Sequence, residues 1–192
     1  MADIQQIHQL IESSIEVKKS LLTKDIPEMI SSVAELIIKT FKEGHKLLIC
    51  GNGGSAADSQ HFSAELVGRF MTDRDPFPSI ALSTDTSLIT AWSNDHSFET
   101  IFSRQVEALG QKGDILFTIS TSGNSKNCIE ALTVAKKKGL ITISLLGRKG
   151  GRMKEISDHS IIVPDERTWH IQESHITIIH ILCHLIEMGS KK

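Results

Sequence analysis

The sequence contains no tyrosine, two tryptophans and four prolines, and aromatic residues make up 5% of its 192 positions. Its cysteines, Cys50, Cys128 and Cys183, are three in number, widely spaced and without a CxxC pair. That pattern argues against a disulfide scaffold and against a cysteine-based zinc site, and the expected location is the reducing cytoplasm. No charge of one sign dominates: 21 Lys+Arg against 23 Asp+Glu leave a formal net charge of -2. A protein that grips nucleic acid needs surplus positive charge on at least one face, so no nucleic-acid partner is expected. Long apolar runs are missing as well. The longest, Ile176 to Ile186, is interrupted by Thr177, His180 and His184 and is too short to span a bilayer. The N-terminal MADIQQIHQLIESS lacks a basic segment followed by an apolar one, so no secretion signal is expected.

What is present is a regular alternation. Residues 46–50, 79–82, 114–119, 140–146 and 160–163 are short apolar runs that read as strands, separated by small-residue turns and helical stretches. Gly44, Gly110 and Gly139 lie between a helical pattern and a strand, where helix-ending glycines belong, and Asp25 with Pro27 marks a helix start with Asp25 as its N-cap. Strands that are apolar runs rather than alternations predict one doubly wound α/β domain over residues 1–192, a five-stranded parallel sheet flanked by helices. An added N-terminal helix carries a stripe of Ile4, Ile7, Ile11, Ser14, Lys18 and Leu21. This helical segment, about residues 1–44, is expected to pack on partner subunits. In the last helix Ile171, Ile176, Ile178, Ile179, Ile181, Leu182, Leu185 and Ile186 leave almost no polar face. Such a helix must be covered all round, which predicts a homo-oligomer.

Two loops are candidates for holding phosphate. Asn52, Gly53, Gly54 and Ser55, in the run Gly51-Asn52-Gly53-Gly54-Ser55-Ala56, follow a strand and open a helix, matching the loose dinucleotide fingerprint G-x-G-x-x-A. A nicotinamide enzyme also needs an acidic residue about 20 positions on. The nearest is Asp85, 29 positions beyond Ala56, and no Lys follows in P-loop spacing, so no nucleotide cofactor is expected. The second loop, Ser120-Thr121-Ser122-Gly123-Asn124-Ser125, leaves a strand and leads into a helix. Its hydroxyls and backbone N–H groups at a helix N-terminus suit a phosphate monoester; the plain alternative is a serine-rich helix cap without a ligand.

The segments CGNGGSAADSQHFSAEL, FTISTSGNSKN and IQESHITIIHILCHLIE together closely resemble the phosphoheptose isomerases of the sugar-isomerase (SIS) domain superfamily, from about Ile4 to Glu187. The serine-rich loop marks only the superfamily; His61 with Glu65 and Gln172 with His180 are more specific. The resemblance implies a parallel sheet flanked by helices, a homotetramer and active sites at subunit interfaces. It also implies conversion of sedoheptulose 7-phosphate to D-glycero-D-manno-heptose 7-phosphate, the first step towards nucleotide-activated heptose for lipopolysaccharide, capsule or S-layer glycan.

Moving a carbonyl between C2 and C1 through an enediol needs a base over both carbons and a second group for the oxygens. Glu65 is the candidate base and His180 its acid partner, since imidazole titrates near neutral pH. His61 and Glu65 stand at i and i+4 on one helix face, and Gln172, Ile176 and His180 form a second stripe. The resemblance implies that His61, Glu65, Gln172 and His180 hold zinc, although eight residues, about 12 Å of helix, separate Gln172 from His180. Further candidate substrate contacts are Arg69, Asn94, Asp95 and Gln172. His175 and His184 read as hydrogen-bonded core histidines, and His8, His45 and His159 as surface ones. One departure stands out: Trp169-His170-Ile171-Gln172 lacks the Arg that members often carry two residues before the glutamine, which leaves open the sugar contacts of residues 165–170. The alternatives are a non-catalytic SIS protein that binds the replication initiator, for which Glu65 and His180 would be superfluous, and an isomerase of another sugar phosphate.

Overall fold

The computed structural model describes residues 3–23 and 25–190; the ends of the expected 1–192 domain and Lys24 within the N-terminal segment lie outside the described residues. Five parallel strands, β1 (Leu47–Gly51), β2 (Ser79–Ala81), β3 (Ile115–Ser120), β4 (Ile141–Gly147) and β5 (His159–Val163), pair in the order β2-β1-β3-β4-β5. These are the five expected runs to within a residue or two. Because side chains alternate across a strand, β1, β3, β4 and β5 each feed two cores. Leu47, Ile49, Ile115, Phe117, Ile119, Ile143, Leu145, Ile161 and Val163 face one side. There they meet α2 (Asp25–Lys42), α3 (Gly54–Val67) and α8 (Thr168–Ser190) through Ile37, Phe62 and Ile178. Leu48, Cys50, Leu116 and Leu146 face the other side, against α5 (Ile101–Leu109), α6 (Lys126–Lys138) and α7 (Gly151–Ile156). Fully burying a side chain such as Ile37 or Phe62 contributes roughly 1.5–3 kcal/mol. The polar strand residues on the second side are paired, Thr118 Oγ1 with Ser144 Oγ at 2.7 Å, and Ser144 in turn with Ser157, just past α7, at 2.6 Å. Helix α4 (Thr86–Asp95) and a 3-10 turn (Phe98–Thr100) complete that side.

Helix α1 (Ile4–Ser20) starts on Asp3, whose side chain accepts from Gln5 N at 3.0 Å. Only Val17 and, just past the helix, Leu21 bury in the core, while Ile4, Ile7, Leu10, Ile11 and Ile15 stay exposed. Polar contacts with α8 add to that docking: Ser14 Oγ donates to Glu173, Lys18 Nζ lies 3.5 Å from the same carboxylate, and Ser13 Oγ is 3.2 Å from His170 Nε2. The hydrogen bond from Ser14, with help from Lys18, holds the Glu173 carboxyl below its ordinary value although burial opposes this.

Several expectations need correction. Helix α8 is covered mostly by its own chain: Ile171, Ile178, Ile179, Leu182 and Ile186 are buried against α2, α3 and the sheet, and of the aliphatic set only Ile181 is exposed. His184 is not a core residue; it lies on the exposed side of α8 with Nδ1 3.3 Å from Met71 Sδ, because the helix turns position 184 away from the sheet. Asp25 is the first residue of α2 rather than its cap. His8 is exposed as expected and His175 is buried, whereas His45 and His159 are half-buried, His45 beside Asp114 at 3.6 Å. Among the described residues no helix is long and apolar enough to cross a membrane.

Candidate active site along the α3–α8 seam

The strand order reverses between β1 and β3, so the loops leaving these neighbouring strands turn to opposite faces and open a crevice at the carboxyl end of the sheet. Both loops singled out from the sequence lie there. At the first, Gly51 is wedged between β3 and the start of α3: a Cβ on it would stand 2.7 Å from Ser55 O and 2.9 Å from Ile119 O. Gly53 has φ +55 with open space beyond it, and buried Ser55 closes the turn through its N–H on Asn52 O at 2.9 Å. Asn52 then joins the two loops, exchanging two 2.8 Å hydrogen bonds with Asn127 of α6.

The second loop is tied internally. Ser120 Oγ is 2.9 Å from Ser125 Oγ and accepts from Gly123 N at 3.1 Å, while Ser122 Oγ accepts from Asn124 N at 3.2 Å. Ser125 occupies the N-cap position of α6 yet makes no capping bond; Cys128 N donates to Asn127 Oδ1 at 3.0 Å, and the two N–H groups before it carry no side-chain cap. Such a terminus attracts an anion. Thr121 and Ser122 are partly exposed beside it. Behind the loop, Gly123 at φ +66 packs on the Gly150 backbone, its carbonyl accepts from Met153 N at 2.9 Å, and Asn124 Oδ1 accepts from Arg152 N at 3.0 Å.

From this crevice α3 and α8 run side by side down one face of the sheet. At the top the Gln172 carboxamide lies directly on Gly54, where any Cβ would collide with it. Two turns lower, His61 Nε2 and His180 Nε2 are 2.9 Å apart, and Glu65 Oε1 is 3.5 Å from His61 Nε2. At 2.9 Å the imidazoles form one hydrogen bond, one ring donating and the other accepting. The Glu65 side chain is 23% exposed and that of His61 43%, so both are reachable from outside. Burial pushes the carboxyl of Asp58, one turn before His61 on α3, up to about 6, against a smaller opposing pull from His61; its Oδ2 is buried without a hydrogen-bond partner.

The chain therefore brings His61, Glu65 and His180 together, gathers Asn52, Gly53, Gly54, Ser55, Ser120, Thr121, Ser122 and Ser125 at the crevice, and places Gln172 with the crevice rather than with the imidazoles. Three expected contacts stand apart. Arg69 is exposed, 3.6 Å from Asp73, and Asn94 and Asp95 are exposed at the end of α4 and bonded to each other at 2.8 Å. Asn127 escaped the sequence reading although it lies within the quoted FTISTSGNSKN segment; an Asn in the first turn of a helix was the available signal.

Residues 10–147 match the family described as SIS domain. The chain is 53% identical over 186 residues to a phosphoheptose isomerase of Trichlorobacter lovleyi, covering 95% of each. Its fold superposes on the phosphoheptose isomerase of Neisseria gonorrhoeae with a TM-score of 0.90 at 42% identity, covering 96% of this chain and 98% of that one. For the phosphoheptose isomerase of Francisella tularensis the TM-score is 0.93 at 37% identity, covering 98% and 100%. The chain thus belongs to the SIS-domain family and, within it, to the phosphoheptose isomerases.

Proposed function

We propose that this chain interconverts sedoheptulose 7-phosphate and D-glycero-D-manno-heptose 7-phosphate. The observation that carries the reading is a carboxylate and an imidazole set on neighbouring helices, Glu65 on α3 and His180 on α8, with His61 linking them. The serine-rich loop and the amides at the start of α6 hold the phosphate; Asn52 and the open side of Gly53 border the sugar chain. Glu65 takes the proton from C1 and returns it to C2 through an enediol, and His180 moves the proton between the two oxygens. Incubation with sedoheptulose 7-phosphate in deuterated water, followed by NMR, tests it. The expected result is an aldose phosphate and deuterium at the exchanged carbon; neither product nor exchange, with and without added zinc, would overturn it.

Zinc is part of the reading. Two imidazoles and a carboxylate suit that ion, and His61, Glu65 and His180 would hold it. The fit is chemical more than geometric, because among the described residues no three His, Cys, Asp or Glu side chains stand ready-clustered for a metal. Gln172 would join only by leaving Gly54. Bound there, zinc would polarise the substrate's carbonyl oxygen.

The exposed aliphatic side of α1, continuous with Leu22 and Ile181 around an apolar groove lined also by Leu21, Pro27 and Leu185, supports a homotetramer with sites at subunit interfaces. About 16 Å of α3 separates the Gly54 end from Glu65, which leaves room for a neighbouring copy to complete each site. Light scattering on the purified chain tests this; a monomer at micromolar concentration would overturn it. Three buried free thiols are in keeping with the cytoplasm as location, and heptose for a surface glycan such as lipopolysaccharide is the corresponding use of the product.

A further inference from the structure

Below the His61–His180 contact the α3–α8 seam ends in a buried ion pair that the reaction itself does not require. Glu187 of α8 is 3% exposed and faces the chain that follows α3. Its carboxylate accepts from Phe70 N at 3.3 Å, Met71 N at 3.2 Å, Thr72 N at 2.9 Å, Thr72 Oγ1 at 2.9 Å and Arg74 Nε at 3.3 Å. Burial pushes the Glu187 carboxyl up, but the bonds from the Thr72 side chain and the backbone N–H groups of residues 70–72 outweigh it and hold the carboxyl below its ordinary value.

Arg74 faces the other way with its remaining donors. Its NH2 donates to the Glu65 carbonyl at 2.8 Å and its NH1 to the Leu66 carbonyl at 2.9 Å and the Asp75 carbonyl at 3.0 Å. The guanidinium stacks over Phe77 at 4.1 Å. Two carbonyls in the last turn of α3, which have no partner within the helix, thereby meet a cation at its negative end, the Leu66 carbonyl accepting from Phe77 N at 3.1 Å as well. One of them belongs to Glu65. The loop that Glu187 grips also carries Phe70, whose ring centroid lies 5.8 Å from that of His180.

We propose that Arg74 and Glu187 are positioning residues for the isomerisation: together they set the end of α3 against α8, so that Glu65 is held opposite His180. The connection is continuous, from the Glu65 carbonyl through Arg74 to Glu187 and along two turns of α8 to His180. A second branch runs from Glu187 through the Phe70 amide to the ring beside His180. Stability alone does not call for such a pair, since buried ion pairs are commonly replaceable by apolar residues at little loss. A fixed relation between two reacting groups does call for it, because misplacement by about 1 Å costs on the order of 100-fold in rate.

The inference rests on the isomerase reading with Glu65 as base. The test measures kcat and KM for sedoheptulose 7-phosphate in the wild type and in Arg74→Lys, Glu187→Gln and Glu187→Asp, with folding checked by circular dichroism. Expected is a roughly 10- to 100-fold loss in kcat with KM within about two-fold of wild type, since the phosphate loops lie at the far end of the seam. Glu187→Asp, which keeps the charge, should lose least. In the Arg74→Lys/Glu187→Gln double variant the losses should be far from additive. Folded variants with wild-type kcat, or with kcat and KM falling together, would overturn the proposal, as would failure of all three single variants to fold. A wild type that neither turns over nor exchanges substrate hydrogen would instead remove the isomerase reading, and the positioning role with it.

Discussion

Asn52 and Asn127 face each other amide to amide, each donating to the other's carbonyl oxygen at 2.8 Å, and this pair is the direct link between the two loops of the crevice. Asn127→Ala strands the Asn52 amide in a half-buried position, at a cost of about 1–3 kcal/mol. Loosening the loops relative to each other should raise KM about ten-fold and leave kcat within a few-fold of wild type. Steady-state kinetics would show it, and an unchanged KM would mean that the loops keep their places without the bridge.

Gly123 and Gly53 make a controlled comparison. Both have positive φ, but a Cβ on Gly123 would drive into the Gly150 carbonyl, whereas Gly53 opens to empty space. Gly53→Ala should cost about 1–3 kcal/mol for its positive-φ backbone alone. Gly123→Ala adds a backbone clash and should cost roughly 2–4 kcal/mol, lowering the melting temperature by about 5–15 °C. Thermal denaturation that ranked the two variants equally would contradict the contact with Gly150.

Replacing Glu65 with Gln keeps the side chain's size and removes its basicity. Glu65→Gln should lose about 100- to 10,000-fold in kcat while substrate affinity by calorimetry stays within a few-fold. An active Glu65→Gln protein would place the base elsewhere.

His175 makes stability depend on pH. Burial pushes its pKa down from 6.5 to about 4, and the Leu146 backbone opposes this only in part; neither ring nitrogen has a hydrogen-bond partner of good geometry. The unfolded chain therefore takes up this proton as pH falls through 6.5, while the folded chain resists until about 4. Its contribution is fully present above pH 6.5 and is lost across the window down to about 4, on the order of 3 kcal/mol in all. Urea unfolding at pH 7 and 4.5 should show a steeper loss for the wild type than for His175→Leu; identical slopes would remove His175 as the cause.

The strands, the two loops and the pairing of His61 with Glu65 were legible because each depends on local pattern; that His180, 119 positions away, joins them was implied only by the family resemblance. Runs such as Leu47 to Cys50 are apolar on both faces, small residues mark the turns, and His61 and Glu65 share a face by helix geometry alone. The bridge from Asn52 to Asn127 spans 75 positions, and the contacts from Glu187 to residues 70–74 span more than a hundred. No periodicity encodes such pairings. The exposure of His184 and the coverage of α8 by α2 were hidden for the same reason: which side of a mostly apolar helix meets the sheet is decided by packing. Gln172 shares a stripe with His180 by spacing, but its carboxamide lies on Gly54, two turns above the imidazoles, a contact that no spacing encodes.

Ser120, Ser122 and Ser125 of the serine-rich loop are bonded to one another and to the loop's own backbone. A loop held by its own hydrogen bonds loses little conformational entropy on capturing a ligand. The ligand must also compete with the bond between Ser120 and Ser125. A tetrahedral group with several acceptor oxygens can engage both hydroxyls and the helix amides at once, whereas a sugar hydroxyl or a flat carboxylate satisfies fewer donors than it displaces. With the phosphate held in this loop as proposed, discrimination between phosphorylated and free sugars would follow from that competition among acceptors, without a single cationic side chain in the loop.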